Sequence, residues 1–188
     1  MKLKILPLLI ASSTLLLSSC ADSAPKDAKT QAVDEASAIF EQQIVDPMNK
    51  ALYNDFTNEQ LDQLITKDNI DTEFASFIYG FMEIGKAAAD DGQKPLGLMK
   101  GTVYKDSRSQ NAPEFYKGDD NTDAFKMYAC VDISEMKYGD QSFLDYTGKA
   151  QEGYTAYDFY VIDVTRNNKG EYKLTYANAE DEGMVDHC

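Results

Sequence analysis

The side chains that could do chemistry in this sequence are carboxylates and tyrosines rather than imidazoles. The only histidine, His187, lies next to the C-terminal residue Cys188, and a chain terminus positions a general base poorly. A hydrolytic triad needs a nucleophile, a base and a group that orients the base, so the usual base is missing. We predict no catalytic residue and no hydrolase activity, while carboxylate and tyrosine chemistry stays open.

Sequence motifs for other kinds of chemistry are missing as well. The chain has no Gly-x-Ser-x-Gly elbow, no phosphate-binding glycine loop ending in Lys-Ser/Thr, no histidine pair at zinc spacing and no Cys-x-x-Cys. We therefore expect no cofactor. Asp158 and Asp163 lie on one predicted strand, but their odd spacing places them on opposite faces, where they form no close pair without a β-bulge.

The best candidate for metal binding is the segment Asp119-Asp120-Asn121-Thr122-Asp123. Its oxygens at positions 119, 121 and 123 match the first three ligand positions of a calcium loop. The match then fails, because Ala124 stands where the loop requires glycine and Cys130 where it requires a bidentate glutamate. We predict no metal site and interpret the segment as an acidic turn before a strand.

The first twenty residues have the features of an export signal. Lys2 and Lys4 precede an almost uninterrupted apolar run, Ile5 to Leu17, which ends in Leu17-Ser18-Ser19-Cys20. This pattern resembles the lipobox of bacterial lipoprotein precursors, in which the cysteine is acylated and becomes the new N-terminus. A membrane-spanning helix would need about twenty apolar residues, and an ordinary signal peptide would not need cysteine at the cleavage site.

The resemblance implies a location for the protein. Residues 1–19 would be removed, and Cys20 would carry acyl chains such as palmitate that hold the protein in the cell envelope, with its domain facing the periplasm. Residue 21 is Ala rather than Asp, which in enterobacterial sorting resembles an outer-membrane signal. We expect the outer membrane rather than the inner one.

The two other cysteines, Cys130 and Cys188, are predicted to form a disulfide. The export signal directs the chain to a compartment that can be oxidising, where paired cysteines are usually bonded. Closing a loop of this length removes unfolded-chain entropy worth roughly 4 kcal/mol. The alternative, a metal-binding or catalytic thiol, would need a neighbouring base or positive charge to form thiolate.

The charge balance limits the partners of the protein. The chain carries 18 basic and 32 acidic residues, a net charge of −14, which becomes −16 once Lys2 and Lys4 leave with the signal. This charge repels nucleic acid and anionic lipid head groups, so no nucleic acid is expected. It permits a basic protein partner, such as an envelope enzyme or toxin, although an acidic surface that only maintains solubility is the alternative.

The chain divides into a tether and one domain. Residues 20–32 are small, polar and charged, which is typical of a flexible tether, and residues 33–188 suit a single domain. Helical spacing begins at Val33, and Asp46-Pro47 is expected to break and restart the helix. Further predicted helices are a short one opened by a capping box, Thr57 with Gln60, and a long one from Phe74 to Ala88.

The second half of the chain has the period-two pattern of strands. Phe125 to Ile133 alternates between apolar and mixed residues, which places Cys130 on the face away from the helices. Tyr154 to Arg166 and Glu171 to Asn178 form a predicted hairpin around Asn167-Asn168-Lys169-Gly170. A further strand is expected at Leu96 to Lys105, with polar connections at Asp106 to Thr122 and Lys137 to Gly153.

Helices followed by antiparallel strands predict an α+β fold, with the N-terminal helices packed on one face of the sheet. The element order and the long terminal hairpin resemble the nuclear-transport-factor-two-like superfamily, in which N-terminal helices lean on a curved sheet. The resemblance concerns the fold and does not carry function.

Two functional hypotheses follow from the sequence. The first, which the sequence favours, is a non-enzymatic binding or accessory module that uses its acidic, tyrosine-bearing surface. The second is a small-ligand-binding or enzymatic domain with carboxylate and tyrosine chemistry in a pocket between sheet and helices. A buried Asp–Tyr pair in such a pocket would favour the second hypothesis, and a filled core would favour the first.

Overall fold

The structure is a computed structural model, and it describes residues 27–66, 70–106, 111–118, 121–153, 155–167, 169–184 and 188. Over these residues the chain has an α+β fold, with N-terminal helices against an antiparallel sheet, as the sequence predicts. The export signal and Cys20 lie outside the described residues. No helix within the described ranges has the length and apolar character needed to cross a bilayer.

The N-terminal helices are α1 (Ala28–Phe40), α2 (Asp46–Leu52), α3 (Asn58–Thr66) and α4 (Thr72–Asp90). Helix α1 begins five residues before the predicted start at Val33. The Asp27 side chain caps it by accepting a hydrogen bond from the Thr30 N–H at 2.9 Å. Ala32 is already buried in the core, so the predicted tether through residue 32 is too long.

The predicted helix break at Asp46-Pro47 is wrong. The backbone stays helical from α1 into α2 through a π-helical turn, Glu41–Val45, in which the Asp46 N–H donates to the Glu41 carbonyl. Proline has no N–H for the regular helical hydrogen bond. A π-turn absorbs such an irregularity without ending the helix.

The predicted capping box is confirmed at the start of α3. The Thr57 N–H donates to Gln60 Oε1 at 2.8 Å, and the Gln60 N–H donates to Thr57 Oγ1 at 3.2 Å. The long predicted helix is also confirmed, as α4. It buries Phe74 and Ile78 and packs against α2, so the core lies between these helices and the sheet.

The main sheet has the strand order β2-β4-β7-β8, and β3 also pairs with β4. A small sheet, β1-β5-β6, lies beside it. All pairings between these strands are antiparallel. The bounds of the strands are β1 Pro95–Leu96, β2 Lys100–Val103, β3 Glu114–Lys117, β4 Asp123–Asp132, β5 Lys137–Tyr138, β6 Gln141–Ser142, β7 Tyr157–Arg166 and β8 Tyr172–Met184.

The terminal hairpin is confirmed as β7 and β8. Its turn is closed by a hydrogen bond from the Gly170 N–H to the Asn167 carbonyl at 2.9 Å, and Gly170 has φ +83°. Glycine adopts this left-handed conformation without steric cost. The turn sets the pairing of β7 with β8, which begins at Arg166 and Tyr172.

The alternating faces of β4 are confirmed. Its helix-facing side chains Phe125, Met127, Ala129 and Val131 are buried. Their antiparallel partners on β7 are Val164, Ile162, Tyr160 and Asp158 respectively. Asp158 therefore continues the core-facing row of β7, where a carboxylate is unusual.

Several short elements were missed or merged by the sequence analysis. The predicted strand Leu96 to Lys105 is two strands, because the chain turns at Gly97, which has φ +78° and lies against the Glu135 carbonyl. The predicted connections contain β3, β5, β6 and the short helix α5 (Phe143–Tyr146). Elements of two to four residues are too short to show a period in the sequence.

Candidate functional site

A cavity of about 310 Å³ lies between α4 and the sheet. Its walls come from α4, from the end of β4, from the start of β7 and from α5 with the following turn, Lys149–Glu152. The volume lies at the lower end of the range of small-ligand sites, about 300–1,000 Å³. The cavity has the position of the predicted pocket between sheet and helices.

Most of the cavity wall is apolar and only partly covered by protein. Phe77, Phe81 and Ile84 of α4 and Leu144 of α5 line it, and all four are partly exposed rather than buried. Between Phe40 and Tyr160 the helix–sheet interface leaves a void of only about 10 Å³. A second cleft, of about 390 Å³, lies between α1 and strands β3 and β4 and is lined by Lys29, Lys117 and Asp123 among others.

The middle of α4 leaves room for this cavity because it carries a glycine. Gly80 lines the cavity, and no atom lies within 4 Å of the place where its Cβ would be. Glycine in the interior of a helix costs about 1 kcal/mol relative to alanine. The packing around Gly80 gives no steric reason for that choice.

The polar end of the cavity is formed by Asp158 and Tyr160. The Tyr160 hydroxyl donates a hydrogen bond to Asp158 Oδ2 at 2.7 Å. The two residues are two apart on β7, so they share the face turned toward the helices. The Tyr160 ring is 9% exposed and meets Phe77 edge to face, with ring centroids 6.0 Å apart.

Burial shifts the titration of both groups. It raises the pKa of the Asp158 carboxyl, an effect that the hydrogen bond from Tyr160 partly opposes. It also raises the pKa of the Tyr160 hydroxyl well above its usual value, and the Asp158 charge acts in the same direction. The raised pKa of its hydroxyl keeps Tyr160 protonated, so the tyrosine is the hydrogen-bond donor and Asp158 is the acceptor.

The rim of the cavity carries an ion pair. Lys149 Nζ lies 3.0 Å from Glu152 Oε2, and the lysine side chain is 45% exposed. Nearby, the Thr155 hydroxyl donates to the Tyr157 carbonyl at 2.9 Å. Both Lys149 and Thr155 line the cavity.

This arrangement can hold a ligand that has one polar end and one apolar end. The carboxylate can accept from a donor or a cation, while the apolar part of the ligand would cover the partly exposed aromatic wall. The Asp–Tyr pair could also exchange a proton with a bound molecule, as carboxylate and tyrosine groups do in general acid–base catalysis. Among the described residues, no group of three His, Cys, Asp or Glu side chains could hold a metal ion.

The two aspartates of β7 are apart, as their spacing predicts. Asp163 lies on the opposite face, where it accepts a hydrogen bond from the Tyr116 hydroxyl at 3.0 Å. A register shift between β7 and β8 occurs next to Asp163, but it does not bring the two carboxylates together. Each aspartate has its own tyrosine partner instead.

The other residues singled out by the sequence lie elsewhere. Cys130 is fully buried on the face away from the helices, and the structure brings it to disulfide-bonding distance of Cys188, with Cα atoms 5.6 Å apart. In the acidic segment that resembles a calcium loop, Asp123 pairs with Lys117, which lowers the pKa of the aspartate. Asp119, Asp120 and His187 lie outside the described residues.

The pairing of Tyr160 with Asp158 is a feature of the site that was not predicted from the sequence. A signal was present, because Asp158 continues the two-residue row of Tyr160, Ile162 and Val164 and so belongs to the core face of the strand. An aspartate on a core face needs a partner or a functional reason.

No protein-family model matches this chain, and no curated protein matches its sequence. The fold and the site together define an α+β domain with a ligand-sized cleft between helix and sheet.

Proposed function

We propose that this domain binds a small, partly apolar ligand in the cavity between α4 and the start of β7. The observation that carries the proposal is the Asp158–Tyr160 hydrogen bond in the wall of a mostly apolar cavity. A carboxylate in an apolar cavity wall loses part of its hydration, and this cost is not offset by hydrophobic packing. Perturbed ionisable groups in a cleft are typical of functional sites.

The alternative of a filled core fits the centre of the helix–sheet interface but not this part of it. Side chains such as Ile44, Ile78, Met127 and Ile162 are fully buried. The cavity instead leaves Phe77 and other apolar side chains partly open to solvent. A ligand that covered them would contribute about 25 cal/mol for each Å² of apolar surface removed from water.

The test of ligand binding is a screen of small apolar and amphipathic molecules by ligand-observed NMR, followed by a cavity-filling variant. Gly80→Leu places a side chain into open space, so the variant should fold and its melting temperature should not fall. We expect ligands of the wild-type protein to lose binding to Gly80→Leu. Ligands that bind both proteins equally would refute this site, and so would a screen without hits.

The matched control for that variant lies on the same helix. Ala87 is exposed and does not line the cavity, so Ala87→Leu adds a similar side chain away from the site. Binding should be unchanged in Ala87→Leu. Equal losses in the two variants would indicate a general effect on α4.

For the location of the protein, the proposal is that Cys20 anchors the domain to the cell envelope, with the outer membrane as the expected site. Support comes from the lipobox-like sequence before Cys20. Cys20→Ser should abolish incorporation of a palmitate analogue during metabolic labelling. Label retained in the variant would contradict the lipid anchor.

A second candidate function is binding of a basic protein, the partner that the acidic charge permits. Three large apolar side chains are exposed near one another, Tyr53, Leu96 and Leu98, at 40%, 56% and 54% exposure. The Tyr53 hydroxyl donates to the Gly97 carbonyl at 2.7 Å, which joins them into one patch. A partner captured from envelope extract at low salt should be lost at high salt and with Leu96→Ser. Capture indifferent to both changes would refute this function.

A further inference from the structure

Among the residues that the structure describes, the carboxylate of Asp158 has no cationic partner. Across the described residues, the only hydrogen-bond or ion-pair partner of its side chain is the neutral Tyr160 hydroxyl. Burial is the main influence on its pKa, and no neighbouring positive charge offsets it. The charge is thus partly desolvated and incompletely compensated.

The other charges at the cavity do not supply that compensation. Lys149 is the single basic residue among the described residues that line the cavity. It lies at the exposed rim and forms an ion pair with Glu152 at 3.0 Å. Because that pair is neutral as a whole, Asp158 determines the charge that a ligand meets inside.

The apolar wall suits the remainder of a cationic ligand. Phe77 and Phe81 lie on successive turns of α4 and present aromatic rings to the cavity. Aromatic faces attract cations as well as apolar groups. The net charge of −14 also raises the local concentration of cations at the protein.

We propose that the ligand of this cavity is an organic ammonium ion whose charged group binds the Asp158 carboxylate and whose aromatic or branched apolar part packs against Phe77 and Phe81. This inference rests on the proposed function of the cavity. An ammonium group donates up to three hydrogen bonds and carries the charge that the carboxylate lacks. A neutral ligand would leave the carboxylate uncompensated, and an anionic ligand would be repelled.

The test compares three molecules that share a phenyl ring, 2-phenylethylamine, 2-phenylethanol and phenylacetate. Their affinities are measured by isothermal titration calorimetry on the full chain in lipid nanodiscs, with empty nanodiscs as the blank. A charge-assisted hydrogen bond predicts that the amine binds at least about ten-fold more tightly than the alcohol. Phenylacetate should bind most weakly.

Two variants of β7 distinguish a local from a general charge effect. Asp158→Asn keeps the size of the side chain and an acceptor for Tyr160, and it should reduce the affinity for the amine to that for the alcohol. Asp163→Asn removes the same charge from the opposite face, where the aspartate has its own tyrosine partner. It should leave the preference for the amine intact.

The possible outcomes separate this inference from the proposed function. Equal binding of amine and alcohol, with both lost in Gly80→Leu, would overturn the ammonium inference and leave the cavity as a ligand site. Equal effects of Asp158→Asn and Asp163→Asn would also overturn it, because the preference would then reflect overall charge. If none of the three molecules binds, the inference is wrong, and the broader screen alone decides the proposed function.

Discussion

Two glycines on helix α4 are expected to respond in opposite ways to the same substitution. At Gly85, an added Cβ would overlap the Ala51 carbonyl oxygen and lie 2.9 Å from the Leu52 carbonyl oxygen. These are backbone atoms of α2 that cannot rotate away, so Gly85→Ala must push α2 and α4 apart. At Gly80, an added Cβ would meet nothing within 4 Å.

The magnitudes follow from overpacking and helix propensity. Overpacking a filled interface costs about 1–3 kcal/mol, and the contact with backbone places Gly85→Ala near the upper value. Alanine regains about 1 kcal/mol of helix propensity at either position. We expect Gly85→Ala to lose about 2 kcal/mol and Gly80→Ala to gain about 1 kcal/mol.

Thermal unfolding followed by far-ultraviolet circular dichroism measures both effects. For a domain of this size, 1 kcal/mol shifts the melting temperature by about 2–4 °C. The melting temperature should therefore fall by about 4–8 °C in Gly85→Ala and rise by about 2–4 °C in Gly80→Ala. A rise of equal size in both variants would show that α2 and α4 do not approach each other at Gly85 as the structure has them.

Three further measurements address the core, the cysteines and the site. Ile162→Ala removes a fully buried side chain and should cost about 2–5 kcal/mol in urea unfolding; a cost below about 1 kcal/mol would contradict its burial. Cys188→Ser should lower the free energy of unfolding by at most about 4 kcal/mol. The intact mass of the wild-type protein should increase by two hydrogen atoms on reduction, and two free thiols in the native protein would refute the bridge to Cys130. Burial raises the pKa of Asp158 in the folded state, so the stability of the protein falls as the pH rises from the unfolded pKa through the folded pKa. Asp158→Asn should therefore be more stable than wild type at pH about 7 and equal to it at pH about 3. A stability difference that is independent of pH would contradict the desolvation of the Asp158 carboxylate.

The long elements of this fold could be predicted because each carries its own periodic signal. Helix α4 repeats apolar residues every three or four positions, and β4 alternates from Phe125 to Val131. The capping box at Thr57 and the turn at Gly170 depend on residue types within a few positions of one another, so they can be recognised in the sequence. Both are where the sequence predicts them.

The continuous helix at Pro47 and the cavity beside Asp158 depend on tertiary packing, which a local sequence pattern does not show. Pro47 suits the first turn of a new helix, so the sequence alone favours a restart there, yet packing on both sides keeps the helix continuous through a π-turn. Parity could place Asp158 beside Tyr160 on one face of β7. It could not show that the helix opposite leaves a cavity at that end, because the cavity depends on how α4 crosses the sheet and on α5.

Two residues of the cavity, Gly80 and Asp158, support its interpretation as a functional site. Gly85 is explained by the close approach of α2, since any larger residue would separate the helices. Gly80 has no such explanation, and it costs helix stability in the same element. Asp158 likewise costs stability at neutral pH, because burial opposes its charge. Two residues that fold stability alone would not select both line one cavity, and ligand binding there accounts for both.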